Sequence, residues 1–267
     1  MLTGIRVYSS RAATLDLPLG YSPLGIIVAK IDGLDPVKAT FTTSSLANTP
    51  GVHYRSGVRE ARNVVITLAF NMNQLPTGTS DLRRMLYSYF TTGLEVEIAV
   101  ITDQGELGRL VGRTETFEFD IFSRTPTATI SILCFNPDIR AEETTESTYT
   151  TDASIVREFY NPGDVPSGFE LEGVITAATN SVTINLNDEI LEFTQSLAAG
   201  DILNISTIPG EKGATKSRAG VVTSALAGVT ATSKWPQVLG GDNSLRVSTG
   251  SGSFSYKFSY NARYGGV

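Results

Sequence analysis

NPGDVPSGFELEGVITA, residues Asn161 to Ala177, opens on a Pro/Gly/Asp turn and runs into FELEGVITA, a strand whose Glu170 and Glu172 fall on one face. Such alternation is what a half-solvated strand produces. The same short-strand grammar repeats outward through SVTINL, EILEFT, DILNIST, SLRVST and FSYKFSYNARY. Turn residues stand between them at Thr179-Asn180, Asn187-Asp188, Ala199-Gly200, Pro209-Gly210 and Gly240-Gly241-Asp242-Asn243. No helical period occurs in this half, and repeated short strands at this spacing predict an antiparallel sandwich. In the closing strand Tyr256, Phe258 and Tyr260 share one face, as a half-buried strand requires.

Working towards the N-terminus, DIRAEETTESTYTTDA (Asp138 to Ala153) is acidic, rich in Thr and Glu and nearly free of large aliphatics. It reads as a solvated linker with the domain boundary near Glu146. The first half reads as a sheet with one packed helix. LGIIVAKIDGL gives a strand and turn. REARNVVITLAF (Arg59 to Phe70) gives a longer strand with Val64, Ile66, Leu68 and Phe70 on one face. ANTPGVHYRSGV before it is turn-rich and reads as a long exposed connection or arm. SDLRRMLYSYF has helical spacing at Leu82, Met85, Leu86, Tyr89 and Phe90, with Ser80 expected as N-cap and Gly93 at the C-terminal cap. LEVEIAVIT and ELGRLVGRTETFEFDIF form a hairpin about Asp103-Gln104-Gly105, followed by the strand TPTATISILCFNP.

At 267 residues the chain exceeds the usual single domain, and either half could bury its own core. No apolar run approaches the roughly 20 residues that span a bilayer. The start, MLTGIRVYSSRAATLDL, lacks a basic region followed by an apolar core, so no signal peptide is expected. Residues 1–140 carry 13 Lys/Arg against 13 Asp/Glu, and residues 141–267 carry 8 against 14, so the net charge of -6 lies wholly in the second half. That balance argues against nucleic-acid binding as the main role, which needs a basic patch.

Groups able to do chemistry are scarce. Cys134 in ISILCFNP reads as a small buried hydrophobe, and a single Cys excludes disulfides within the chain. His53, the one histidine, lies in the Pro50-Gly51-Val52-His53-Tyr54 turn; with one His and one Cys an ordinary zinc site cannot be filled, and a catalytic triad would depend on His53 alone. Glycosidase-type carboxylate pairs are formally present at Glu95/Glu97, Glu118/Asp120 and Glu170/Glu172, but the alternation of a solvated strand accounts for each. Asn185-Leu186-Asn187-Asp188-Glu189 and Gly241-Asp242-Asn243 offer oxygen ligands that turns use equally. GEKGATKS (Gly210 to Ser217) misses the phosphate-loop spacing and reads as an exposed hairpin loop. Asn204-Ile205-Ser206 matches a glycosylation sequon, idle without export. No catalytic residue, cofactor or metal is expected. Arg55, Arg59 and Arg62 form a basic cluster suited to a subunit contact or to solvating a strand end. Trp235 is either a core anchor, the favoured reading, or a platform for a sugar ring.

The ordered motifs resemble those of the distal tail proteins of long-tailed bacteriophages with non-contractile tails. In the first half the resemblance rests on PGVHYRSGVREARNVVITLAF, DLRRMLYSYF and ISILCFNPD. In the second it rests on YNPGDVPSGFELEG, LAAGDILNI, WPQVLGGDNSLRV and the closing strand with Arg263-Tyr264-Gly265-Gly266. It implies a mainly β fold: a ring-forming domain over 1–140, of β-sandwich or split-barrel type with one helix at about 80–91; an acidic linker over 141–152; and a galectin-like antiparallel sandwich over 153–267. It implies a structural virion protein and not an enzyme: a hub ring, usually hexameric, at the far end of the tail. Its implied partners are copies of itself, the tail tube protein and tail-tip or receptor-binding proteins, with no membrane. DNA would pass through the channel without being specifically bound, and assembly would take place in the host cytoplasm. The alternatives are a carbohydrate-binding adhesin and a tail-tube subunit with an added surface domain.

Overall fold

The computed structural model describes residues 1–20, 22, 24–45, 50–71, 79–120, 126–152 and 155–267. Residues 47–49, 121–122, 125 and 153, which fall within the segments quoted above, lie outside this set. The chain divides into two units, one of residues 1–142 with 265–267, the other of residues 143–264.

In the first unit the strands are β1 (Leu2–Ser9), β2 (Ala12–Pro18), β3 (Ile26–Asp32), β4 (Ala39–Ser44), β5 (His53–Arg59), β6 (Arg62–Phe70), β7 (Glu95–Thr102), β8 (Gly105–Asp120) and β9 (Thr127–Cys134). One antiparallel sheet runs β3-β6-β9-β8-β7-β1-β2, while among the described residues β4 and β5 pair only with each other. Alternation sets the core: Val64, Ile66, Leu68 and Phe70 of β6 are buried, as are Val96, Ile98 and Val100 of β7. Burying each such side chain contributes roughly 1.5–3 kcal/mol. The helix α1 (Thr79–Tyr89) buries Leu82, Leu86 and Tyr89. Ser80 stands inside its first turn instead of capping it. Gly93 takes φ 79° and donates its N–H to Thr114 O at 2.8 Å, so it serves the turn into β7 and not the helix end.

Strand β8 changes its buried face partway along. Through Thr114 the even-numbered residues Gly108, Leu110, Gly112 and Thr114 are buried. The register then slips between Thr114 and Thr116, so Glu115 is the extra residue of a bulge. Beyond it Phe117 and Phe119 turn inward, Phe119 stacking on Phe70 at 5.2 Å and Phe117 meeting Tyr87 edge-on at 4.8 Å.

The acidic segment expected as a linker is instead a strand, β10 (Ile139–Thr150). Arg140 pairs with Arg109 on β8, and a Cβ on Gly108 would lie 2.5 Å from Arg140 O, so only glycine admits this approach. From Glu143 onward β10 belongs to the second unit. Its exposed Thr and Glu side chains mimic a linker in composition, while its main chain is held in a sheet.

That second unit is an antiparallel two-sheet sandwich of β11 (Arg157–Asn161), β12 (Phe169–Ala177), β13 (Val182–Leu186), β14 (Glu189–Phe193), β15 (Ile202–Ser206), β16 (Gly213–Arg218), β17 (Val221–Ser224), β18 (Gly241–Thr249) and β19 (Ser253–Tyr264), with β10 completing the larger sheet. The larger sheet runs β17-β16-β15-β12-β19-β10, the smaller β11-β18-β13-β14. Phe169, Leu171 and Ile175 of β12 interleave with Phe254, Tyr256, Phe258 and Tyr260 of β19, and Phe169 and Phe258 lie 4.9 Å apart. Glu170 and Glu172 are exposed on the opposite face of β12. The last three residues leave this unit for the first one, where Val267 N donates to Leu34 O at 3.2 Å.

Candidate functional site

Several of the residues considered for chemistry are tied into turns, ion pairs or the core. His53 is exposed at the start of β5, in a strand and not in the expected turn. Glu97 and Glu95 lie 3.4 Å from Arg109 and Arg113 respectively. Asn187 and Asp188 hold positive φ in the β13–β14 turn, and Asn187 Nδ2 donates to Asn243 Oδ1 at 2.7 Å. Asn243 in turn receives Leu239 N and donates to Leu239 O and Gly241 O. These side chains therefore close turns. Gly210 sits in the turn expected for GEKGATKS, but residues 213–217 are strand β16. Cys134 is buried, and that burial raises its thiol pKa to about 11, far from a reactive thiolate. Among the described residues no cluster of three or more His, Cys, Asp or Glu could hold a metal ion, and no helix is long and apolar enough to cross a membrane.

Trp235 is half-buried and packs against the core of the second unit. The solvent face of the larger sheet carries no aromatic side chain on β12, β15, β16 or β19. It presents Glu172, Asn204, Thr215 and Lys257 in one cross-strand row and Val174, Ile202, Ser217 and Val222 in the next.

A different feature stands out in the first unit, the hairpin β4–β5. Every residue of β5 is exposed, and most of β4 is too. Apolar side chains nevertheless occupy both of its faces. Phe41 is 62 % exposed and meets Tyr54, 66 % exposed, edge-on at 6.0 Å, while Val58, opposite Thr40, is 70 % exposed on the other face. An isolated two-stranded ribbon is marginal in water. This one is held at its root.

The root is built from the arginines of the expected basic cluster, which separate into three environments. Arg55 is exposed on β5 and donates to Ser44 Oγ at 2.9 Å. Arg59 grips the buried carboxylate of Asp138 with both guanidinium ends, Nη2 lying 2.9 Å from Oδ2. Arg62 is not at the surface at all, being 1 % exposed. It donates to Pro137 O and Gly33 O at 2.6 Å each, to Asp35 O at 2.9 Å and to Gly265 O. Burial lowers its pKa from the usual arginine value, and these carbonyl dipoles stabilise the charge it retains. Arg62 thus ties together the chain before β4, the chain after β9 and the C-terminal residues, fixing where the hairpin departs. Its burial was legible in one respect: Arg62 shares the alternate positions of Val64, Ile66, Leu68 and Phe70. The exposed apolar residues Phe41, Tyr54 and Val58 gave no such signal, because they are scattered among Thr, Ser and Arg.

No family model matches the chain, and no curated protein does. Among solved structures it is similar to the crystal structure of the Dit (gp 19.1) protein of phage SPP1, described as a paradigm of the hub adsorption apparatus in phages infecting Gram-positive hosts. The identity is 13 %, the alignment covers 97 % of this chain and 98 % of that one, and the TM-score is 0.69. Structures of the phage P2 baseplate in its activated conformation, with Ca and with Sr, align at 6 % and 8 % identity over 96 % of this chain and 98 % of theirs, at TM-scores of 0.44. The chain therefore has the fold of the SPP1 Dit protein over nearly its whole length, both units included.

Proposed function

We propose that the protein is a non-enzymatic hub subunit of a phage tail, forming a ring at the distal end that joins the tail tube to the tail-tip or receptor-binding apparatus. The observation that carries this reading is the fold likeness to a hub adsorption protein across 97 % of the chain, which includes both units and not one shared sandwich alone. The hairpin supports self-association. A ribbon with exposed Phe41, Tyr54 and Val58 on its two faces, rooted by Arg59 and Arg62, has the form of an arm that another copy would cover. In this reading the first unit makes the ring, hexameric by the resemblance, with DNA passing through its channel and Arg55 within reach of a neighbouring copy. The second unit is a galectin-like peripheral sandwich, and the protein resides in the virion. The alternative, a carbohydrate-binding role, would have to use Trp235, which is half-buried against the core of the second unit.

The test is light scattering of the purified full chain together with negative-stain imaging. Closed rings of one defined copy number are expected. A strict monomer at high concentration, or an open polymer of indefinite length, would overturn the hub reading.

A further inference from the structure

The two strands of the β4–β5 hairpin are rooted by different means. On the β5 side the chain runs from Arg59, gripped by Asp138, through Glu60 and Ala61 into β6, which pairs along its length with β9. On the β4 side it arrives through Gly33-Leu34-Asp35-Pro36, a stretch that belongs to no strand. Residues distant in sequence hold that stretch. Arg62 donates Nη1 to Gly33 O at 2.6 Å and to Asp35 O at 2.9 Å. Residues 265–267 lie alongside as a strap: Val267 N donates to Leu34 O at 3.2 Å, and a Cβ on Gly266 would stand 2.7 Å from Pro36 Cδ and 3.0 Å from Asp35 C. Glycine is what admits this approach. Gly265 O closes the arrangement by accepting Arg62 Nη2.

Arg62 makes the strap and the β4 side interdependent. Its guanidinium is buried, so each donor needs an acceptor within the protein. With Gly265 withdrawn, Nη2 loses its acceptor and water gains entry, and a guanidinium that can hydrate is no longer obliged to hold Gly33 O and Asp35 O. The hairpin cannot make up that loss, because a two-stranded ribbon is marginal in water and its strands are almost wholly exposed. Connectivity adds an order of events. Every other part of the root lies within residues 1–142, whereas Gly265 follows the whole of the second unit, residues 143–264. A chain synthesised as far as Glu142 therefore holds the root without its strap.

We propose that residues 265–267 are a latch: they dock on Gly33–Pro36 once the second unit has been made, and so fix the β4–β5 hairpin for self-association. Copies without a docked latch keep a folded first sheet and a loose hairpin, and are left out of the assembly. The step from latch to assembly rests on the reading of the hairpin as an arm given above; the latch itself does not.

Hydrogen exchange of the full chain, followed by mass spectrometry, tests it. Gly266→Val forces the strap off Pro36 and leaves Arg62 in place. The peptide ending in Val267 should lose protection, and β4 and β5 should exchange about tenfold faster or more while β6 and β9 stay unchanged. The comparison is repeated in the Phe41→Ser/Val58→Ser background, so that a neighbouring copy covering the hairpin does not mask the change. Light scattering should show fewer assembled copies of Gly266→Val than of the parent at equal concentration. If the Val267 peptide stays protected in Gly266→Val, a chain ending at Tyr264 takes its place and decides the matter. The latch is overturned if the strap is displaced or removed and hairpin exchange is unchanged. It is also overturned if β6 and β9 quicken by the same factor, because residues 265–267 would then stabilise the unit as a whole. Faster exchange confined to the hairpin with an unaltered oligomer overturns the link to assembly. A monomeric parent counts against the hub reading and leaves the exchange result standing.

Discussion

Arg62 and Arg218 bring the same charge into opposite surroundings. Arg62 is buried and its donors are spent on main-chain carbonyls, so it acts as a structural bolt between chain segments. Arg218 is half-exposed, and its Nε and Nη2 reach the buried carboxylate of Asp201 at 2.7 and 2.6 Å. That contact, helped by the Ala198 N–H, holds the Asp201 pKa at about 2, below its ordinary 3.8. Folded Asp201 therefore binds a proton less readily than unfolded Asp201. The pair's stabilisation is complete above about pH 4 and fades as pH falls towards about 2. Arg218→Ala should accordingly lower the thermal midpoint by a few degrees at neutral pH and by much less near pH 2. Melting curves of both proteins at the two pH values check this, and an equal loss at both would show that Arg218 acts through packing instead of charge.

At the scale of elements, the bulge at Glu115 decides how the helix meets the sheet. Without the extra residue, Phe117 and Phe119 would turn to solvent and the stack that links Phe70, Phe119, Phe117 and Phe90 would be lost. Deleting Glu115 should cost about 3 kcal/mol or more, from the two aromatic side chains alone. Glu115→Ala keeps the register and should cost under about 1 kcal/mol, the hydrogen bond from Ser131. Urea denaturation of the two variants separates register from side chain; equal losses would mean that the bulge is unimportant. The same strand explains what could be read from sequence. Strands with one buried face, such as β6, β12 and β19, announce themselves by alternation, and the β13–β14 turn by Asn187-Asp188. Strands β4, β5, β10 and β17 expose both faces for most of their length, so no period of two marks them. A bulge hides in the same way, because it reverses the parity by which strands are read.

At the scale of the whole molecule, the chain leaves its first unit once, after Glu142, and returns to it at Gly265, so the sandwich is inserted within the polypeptide of the first unit. Gly265 O is a ligand of the Arg62 guanidinium, and Arg62 also roots the β4–β5 hairpin. The hairpin's departure is therefore fixed by residues from both ends of the sequence. Its outer side chains, by contrast, contribute little to the fold. Phe41 and Val58 are 62 % and 70 % exposed, so replacing both with serine should alter the stability of the single chain by about 0.5 kcal/mol or less per site. If the hairpin is the arm by which copies associate, the same replacement removes Val58 from one face and leaves only Tyr54 on the other, and should leave a folded monomer. Circular dichroism melting and light scattering on Phe41→Ser/Val58→Ser test both halves of the expectation. An unchanged melt with loss of the oligomer assigns the contact to the hairpin. An unchanged melt with the oligomer intact removes the hairpin from the interface and places self-association elsewhere in the chain.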